Sequence, residues 1–268
     1  MYWQKRFDRE NPNEAIEKRI REIFELNEGK IGYRRIDLTL RNEGIIVNHK
    51  KIKRIMRKLG LKCTKFTRKS RKYNSYKGTV GTVAKNRIHR RFYTSIPHQK
   101  LTTDTTELKY YEPAPSGQFV IKKLYLDPFM DMFNGEILSF RISNKPNALA
   151  IQEAQKEAIE RTNGCPYRRT FHSDQGWAYQ MKSYFETLSE HKIFQSMSRK
   201  GNCLDNSPME NFFSLLKQEM YYGEIFTSFD SLKKAIEEYI EYYNHRRIKT
   251  KLKCSPVKYR ENYHLQAA

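Results

Sequence analysis

Between residues 101 and 142 the chain carries three short apolar runs, 101–108, 119–126 and 136–142, punctuated by Ser116-Gly117 and Asn134-Gly135. Glycine-containing pairs between short β-prone runs turn successive strands back antiparallel. A helical pattern follows over 147–161, with Ala148, Ile151, Ala154, Ala158 and Ile159 on its inner side. Then come a strand at 169–172, a helix at 179–190, a strand at 193–196, and helices at 208–222 and 231–243. Strands separated by helical crossovers lie parallel to one another. The order βββαβαβα therefore predicts an α/β unit: a mixed five-stranded sheet, antiparallel at first and parallel afterwards, with flanking helices.

The front of the chain obeys a different period. Three short helices are expected before residue 61. The first, at about 13–26, places Ile16, Ile20, Ile23 and Phe24 on one side; the second follows Gly32 and carries Tyr33, Ile36, Leu38 and Leu40. The third starts after Asn48, an N-cap residue, and ends at Gly60. Its Ile52, Ile55, Met56 and Leu59 fall at i, i+3, i+4 and i+7, and Lys50, Lys51, Lys53, Arg54, Arg57 and Lys58 occupy the rest. A compact three-helix unit with a basic last helix predicts a small all-α helix-turn-helix domain.

Charge separates the two parts. The formal net charge is +21, of which +19 lies in residues 1–100 and +2 in the remaining 168. Residues 51–100 hold 17 Lys and Arg and no acidic residue. Such an arm seeks a polyanion, and 62–99 reads as a basic linker that tracks phosphates, with Phe66, Tyr73, Tyr76, Phe92 and Tyr93 available to stack on bases or pack on the neighbouring domain. No run reaches the length of a membrane span and the N-terminus has no apolar signal region. Cys63, Cys165, Cys203 and Cys254 form no CxxC pair and no zinc spacing, as expected of thiols in a reducing, cytoplasmic compartment.

Three acids sit where the periodicity does not need them. Asp104 interrupts the first strand, Asp174 ends the fourth, and Glu210 lies in the first turn of the helix at 208–222. Carboxylates gathered at strand ends hold hard divalent cations, and two such ions serve phosphoryl chemistry. Each acid taken alone also suits a turn or a helix N-terminus. Glu210, Ser214, Lys217 and Tyr221 share one helical stripe, so Lys217 faces the same way as Glu210, two turns on. His172 is open to a role beside the acids or a structural one, Asn206 to shaping the loop before Glu210, and Asp205 is the rival third acid.

The element order is that of an RNase H-like domain, and the residues carry a resemblance to a family. Asp174 and Glu210 are separated by 35 residues. His172-Ser173-Asp174-Gln175-Gly176, the stretch Ser196 to Ser207, Glu210-Asn211-Phe212-Phe213 and Leu216-Lys217 resemble the second-frame (OrfB) product of insertion sequences of the IS3 family. Gly32-Tyr33-Arg34-Arg35-Ile36 and 47–61 resemble its helix-turn-helix. Tyr242-Tyr243-Asn244 to Arg247, Lys251-Leu252 and Ser255-Pro256 resemble its C-terminal integrase motif. The resemblance implies a DDE transposase: an RNase H-like core with Asp104, Asp174 and Glu210 as catalytic triad and ligands of two Mg²⁺ ions, with Mn²⁺ as a substitute. It implies Lys217 on the transposon end, and cleavage of terminal inverted repeats followed by joining of 3′-hydroxyls to target DNA. It further implies a homo-oligomer at synapsis, and the upstream frame's product as partner, often as a fusion. Leu101, the stretch Asp127-Pro128-Phe129-Met130-Asp131 and Lys249 depart from the family pattern.

The expected organisation is thus a helix-turn-helix domain at 1–61, a basic linker at 62–99, the catalytic core at 100–223 and its C-terminal helical part at 224–268. Arg34, Arg35, Lys50, Lys51, Arg54, Arg57, Lys58 and Lys217 are the expected DNA contacts. The alternatives are a catalytically silent DNA-binding regulator derived from a transposase, and a nonspecific nuclease of the same fold.

Overall fold

The computed structural model describes residues 11–65, 82–115, 117–199 and 203–267. They fall into two compact units, Met1–Arg68 with Ile248–Cys254, and Lys69–Arg247 with Ser255–Ala268.

In the first unit the apolar periodicity becomes three helices, α1 (Glu14–Leu26), α2 (Tyr33–Asn42) and α3 (His49–Lys58). Their facing stripes bury Ile20, Ile23, Ile36, Leu40, Ile52, Ile55 and Met56 in one cluster. Burying each such side chain stabilises the unit by roughly 1.5–3 kcal/mol. Asn48 caps α3, its side chain accepting from the Lys50 amide at 2.8 Å. Gly60 follows α3 with φ +69°, a conformation that costs a residue with a Cβ. The turn at 248–254, closed by a bridge between Lys249 and Cys254, belongs to this unit, where Asn42 donates to the Lys253 carbonyl at 3.1 Å. The sequence grouped that turn with the C-terminal part of the core.

The second unit is built on one mixed sheet of β1 (Lys100–Thr103), β2 (Thr106–Pro113), β3 (Phe119–Asp131), β4 (Ile137–Ser143), β5 (Thr170–Ser173) and β6 (Phe194–Met197). β3 pairs antiparallel with β1, β2 and β4, and β1–β5 and β5–β6 are parallel. The count is six where the sequence suggested five, because the first apolar run breaks at Asp104-Thr105. β1 and β2 keep one register against β3: Thr103 faces Phe129 and Thr106 faces Leu126. The break therefore falls opposite Asp127-Pro128, and Pro128 has no N–H to offer the ladder.

The two faces of the sheet carry separate cores. Leu101, Phe129 and Phe171 pack with Ile151, Ala154 and Ala158 of α4 (Ala148–Arg161) and Tyr184 and Leu188 of α5 (Lys182–Glu190). Leu108, Leu126 and Met130 pack with Met209, Phe212 and Leu216 of α6 (Ser207–Leu216) and Ile236 and Tyr243 of α7 (Phe229–His245). Asn147 caps α4 and a Ser228/Ser231 capping box opens α7. The chain ends in α8 (Pro256–Ala267). Asn244 of α7 pairs with the backbone of Ile137 in both directions, 2.9 Å each, tying α7 to the start of β4.

Two helices differ from their expected extents. The helix at 179–190 divides into a 3₁₀ turn, Trp177–Gln180, and α5. The helix at 208–222 keeps α geometry through Leu216 and then widens into a π-turn, Lys217–Tyr221. That turn carries Glu219 inward to a two-point contact with Arg247, 2.8 Å in each arm, where Tyr239 also donates to it at 3.0 Å. The described part of the expected linker, 82–99, is not a free tether: Ile88 and Thr94 are buried, and the Arg87 amide donates to Ser196 Oγ at 2.9 Å. Tyr93 is exposed, whereas Phe66, Tyr73 and Tyr76 lie outside the described residues. Among the described residues no helix is long and apolar enough to cross a membrane.

Candidate active site

β1 and β5 run parallel with Thr102 beside His172. Two residues further along each strand stand Asp104 and Asp174, so the register brings the two carboxylates to the same end of adjacent strands, which lie about 4.8 Å apart. They share the parity of Thr102 and His172, whose side chains face the segment that opens α6, and that helix carries Glu210 in its first turn. All three acids are half-buried.

The electrostatics agree with this proximity. Burial pushes the Asp104 carboxyl well above its usual range, and the negative charges of Asp174 and, less strongly, Glu210 and Asp127 push it further. The Thr105 amide, 2.8 Å from Asp104 Oδ1, opposes the shift. Asp174 is also raised by burial, against the Gly176 amide at 2.8 Å. Glu210 is raised by burial alone. Gly176 allows the close turn over Asp174: a Cβ there would stand 2.9 Å from Asp174 Oδ1 and 3.3 Å from the Tyr179 ring.

The donor set suits a hard divalent cation in kind, since it is made of carboxylate oxygens whose mutual repulsion a cation relieves. Its spacing is incomplete: among the described residues, no three His, Cys, Asp or Glu side chains are grouped closely enough to hold an ion. Asp104 and Asp174 follow the ends of neighbouring strands, and Glu210 lies in the first turn of α6.

The neighbours of the three acids have definite contacts. His172 is fully buried; its Nδ1 meets Ser196 Oγ at 2.8 Å and its Nε2 meets the Asp205 carbonyl at 2.8 Å and Ser198 Oγ at 3.2 Å. Burial lowers its pKa and so favours the neutral ring, with Nε2–H assigned as donor to the carbonyl. Both nitrogens are spent inside the protein, so His172 braces β5 against β6 and the turn before α6 and does not reach DNA. Asn206 accepts from Thr102 Oγ1 and donates to the Thr103 carbonyl at 3.0 Å, fastening that same turn to the residues just before Asp104. Lys217 is half-buried at the end of α6, where the helical phase of Glu210 still holds.

One group near Asp104 gave no functional signal in the sequence. Asp127 is buried and accepts from Thr105 Oγ1 at 2.6 Å, and burial pushes its carboxyl up to about 6. Tyr179 OH lies 3.5 Å from Thr103 Oγ1 and from Thr105 Oγ1. The only signal for Asp127 was its place in a stretch that departs from the family pattern.

In the first unit, Arg34, Lys50, Lys53, Arg54 and Arg57 are exposed, and Lys51 is half-exposed. Two of the expected DNA contacts also have partners within the unit. Lys58 pairs with Glu17 of α1 at 2.8 Å, and half-buried Arg35 donates to the Lys30 carbonyl at 3.1 Å.

Models of the integrase core domain match residues 94–203 and 210–263, and a model of an HTH-like domain matches residues 11–70. InsK of insertion sequence element IS150 from Escherichia coli K12 is 42% identical over 93% of this chain and 84% of its own length. A transposase-like protein of Haemophilus influenzae is 49% identical over 81% of this chain and 95% of its own length. The transposase InsF of insertion sequence IS3A from Escherichia coli K12 is 30% identical over 81% of this chain and 72% of its own length. With its helix-turn-helix unit and integrase core in this order, the chain belongs to the IS3 family of insertion-sequence transposases.

Proposed function

We propose that the protein is a DDE transposase that cleaves insertion-sequence ends and joins the resulting 3′-hydroxyls to target DNA. The observation that carries this reading is the β1–β5 register, which leaves Asp104 and Asp174 just past the same end of adjacent parallel strands, with Glu210 in the first turn of α6. Asp104, Asp174 and Glu210 would hold two Mg²⁺ ions, or Mn²⁺ in their place. Bound there, such ions supply Lewis-acid activation of an oxygen nucleophile and neutralise the charge that develops at phosphorus and the leaving oxygen.

The chain's own residues supply placement. Asp104 and Asp174 repel a phosphodiester until their charge is balanced, which reserves the site for the loaded protein. Lys217, seven residues beyond Glu210, meets a backbone phosphate one groove along. Exposed Arg34, Lys50, Arg54 and Arg57 would grip phosphates of the terminal repeat, and α3 would read bases. No side chain forms a covalent link to DNA in this scheme; water and then a 3′-hydroxyl attack in line. Paired ends imply a second copy at synapsis, and the product of the upstream frame joins as partner or fusion.

The test is nicking of a terminal-repeat duplex with Mg²⁺, wild type against Asp174→Asn. Nicking by the wild type alone is expected. Equal nicking by both would sink the assignment, and binding of the repeat without nicking by either would identify a silent regulator.

A further inference from the structure

Asp205 is an acid in a place where metal chemistry has no use for it. Its side chain is fully buried, one residue before Asn206 and five before Glu210. Arg90 Nε reaches Oδ1 at 2.9 Å. Arg199 donates its amide and Nε to Oδ2 at 3.1 and 3.0 Å and its Nη2 to Oδ1 at 3.1 Å. Asn86 Nδ2 completes the set at 3.2 Å from Oδ2. The Arg199 and Arg90 contacts hold the Asp205 carboxyl far below the usual carboxylate range. Charge-assisted pairs of this kind are shorter and stronger than neutral ones and fix geometry as well as charge.

The same turn is gripped from two other sides. The Asp205 carbonyl takes the His172 ring from β5, and Asn206 takes Thr102 and Thr103 from β1. Cys203–Asn206 is thereby tied to the two strands that carry Asp104 and Asp174, and through Asn86 and Arg90 to the basic segment at 82–99. α6 starts at the next residue, so the position of this turn is the position of Glu210.

We propose that Asp205 is a positioning residue that sets Glu210 against Asp104 and Asp174, and that Asn86 and Arg90 serve it by holding the turn rather than by holding DNA. The proposal rests on the transposase reading. It assigns to part of the basic arm a task inside the catalytic unit, one that its charge alone would assign to phosphates.

The test uses the full-length protein with Arg90→Ala, Arg90→Lys, Asp205→Asn and the Arg90→Ala/Asp205→Asn double variant. Three quantities are measured: the dissociation constant for terminal-repeat DNA, the single-turnover nicking rate at saturating DNA, and the Mg²⁺ midpoint of the metal-induced rise in Tm without DNA. Arg90→Ala is expected to slow nicking at saturation by about 10- to 100-fold, as sub-ångström misplacement of a reacting group does. Its DNA affinity should stay within about threefold of wild type and its Mg²⁺ midpoint should rise. Arg90→Lys should recover part of the rate, and the double variant should be no slower than the slower single variant, as partners in one contact behave. An affinity loss with an unchanged rate at saturation would assign Arg90 to DNA and overturn the proposal, as would additive single-variant effects or an unmoved Mg²⁺ midpoint. A wild type that does not nick at all would overturn the transposase reading instead.

Discussion

Asp104 and Asp174 stand just past the ends of neighbouring parallel strands, each two residues beyond Thr102 and His172, the last residues that β1 and β5 pair with each other. Two carboxylates brought together by strand register repel each other unless a cation or a proton intervenes, and the Asp104 carboxyl, raised first by burial, is raised further by the charge of Asp174.

Replacing one of the pair should therefore stabilise the metal-free fold. Asp174→Asn keeps an oxygen to accept the Gly176 amide and removes one charge. At pH 7.5 and without divalent metal the expected gain is on the order of 1 kcal/mol, or about 2–4 °C in Tm. The same variant should lose the Tm rise that Mg²⁺ gives the wild type. A lower Tm than wild type in EDTA would contradict the pairing.

Asp127 gives a pH-dependent counterpart. Its carboxyl lies at about 6 in the folded chain against 3.8 for an ordinary aspartate, because burial penalises the charge. A raised acid leaves stability intact below about pH 4 and removes it as pH climbs through 6, since the native state then gives up a proton it holds better than the unfolded chain does. Asp127→Asn retains the acceptor for Thr105 Oγ1. Thermal melts should show this variant more stable than wild type at pH 8, by up to about 3 kcal/mol, and indistinguishable at pH 4.

Much of this was legible in the sequence. The helices of the first unit follow from i, i+3, i+4 patterning and the Asn48 cap, which are local signals. Asp104 and Asp174 stood out at strand ends and Glu210 in the first turn of a helix, and it was the family resemblance that joined them into one candidate site. What stayed hidden depends on partners far along the chain. The break at Asp104 needs Pro128 across the ladder. Asp205 reads as a candidate ligand until Arg90, 115 residues earlier, is seen to bond it. The π-turn after Leu216 coincides with Glu219 meeting Arg247, 28 residues on.

That last pair makes its own prediction. Glu219 and Arg247 are 2% and 8% exposed at their side chains. Arg247→Ala strands a buried carboxylate beside Tyr239 and should cost about 3–5 kcal/mol, read by urea denaturation. The double variant Glu219→Gln/Arg247→Met should recover part of the loss, because it leaves no unpaired charge. Equal losses for the single and double variants would show that packing, not charge, governs the site.

The first unit should divide its cations into two classes. Arg54→Ala should weaken binding to any duplex and lower the slope of log affinity against log salt by about 1. Lys58→Ala should change that slope far less, because Glu17 already neutralises it. Equal slopes for the two variants would mean that DNA displaces Glu17.

Single-turnover nicking of a terminal-repeat duplex at saturating DNA and Mg²⁺, with wild type, Asp104→Asn, Asp174→Asn and Glu210→Gln side by side, decides whether the three carboxylates act as one site on DNA. The expected result is a 3′-hydroxyl product at the repeat end from the wild type, and none from any of the three variants, while all four bind the duplex equally. Wild-type rates from any one variant would contradict it.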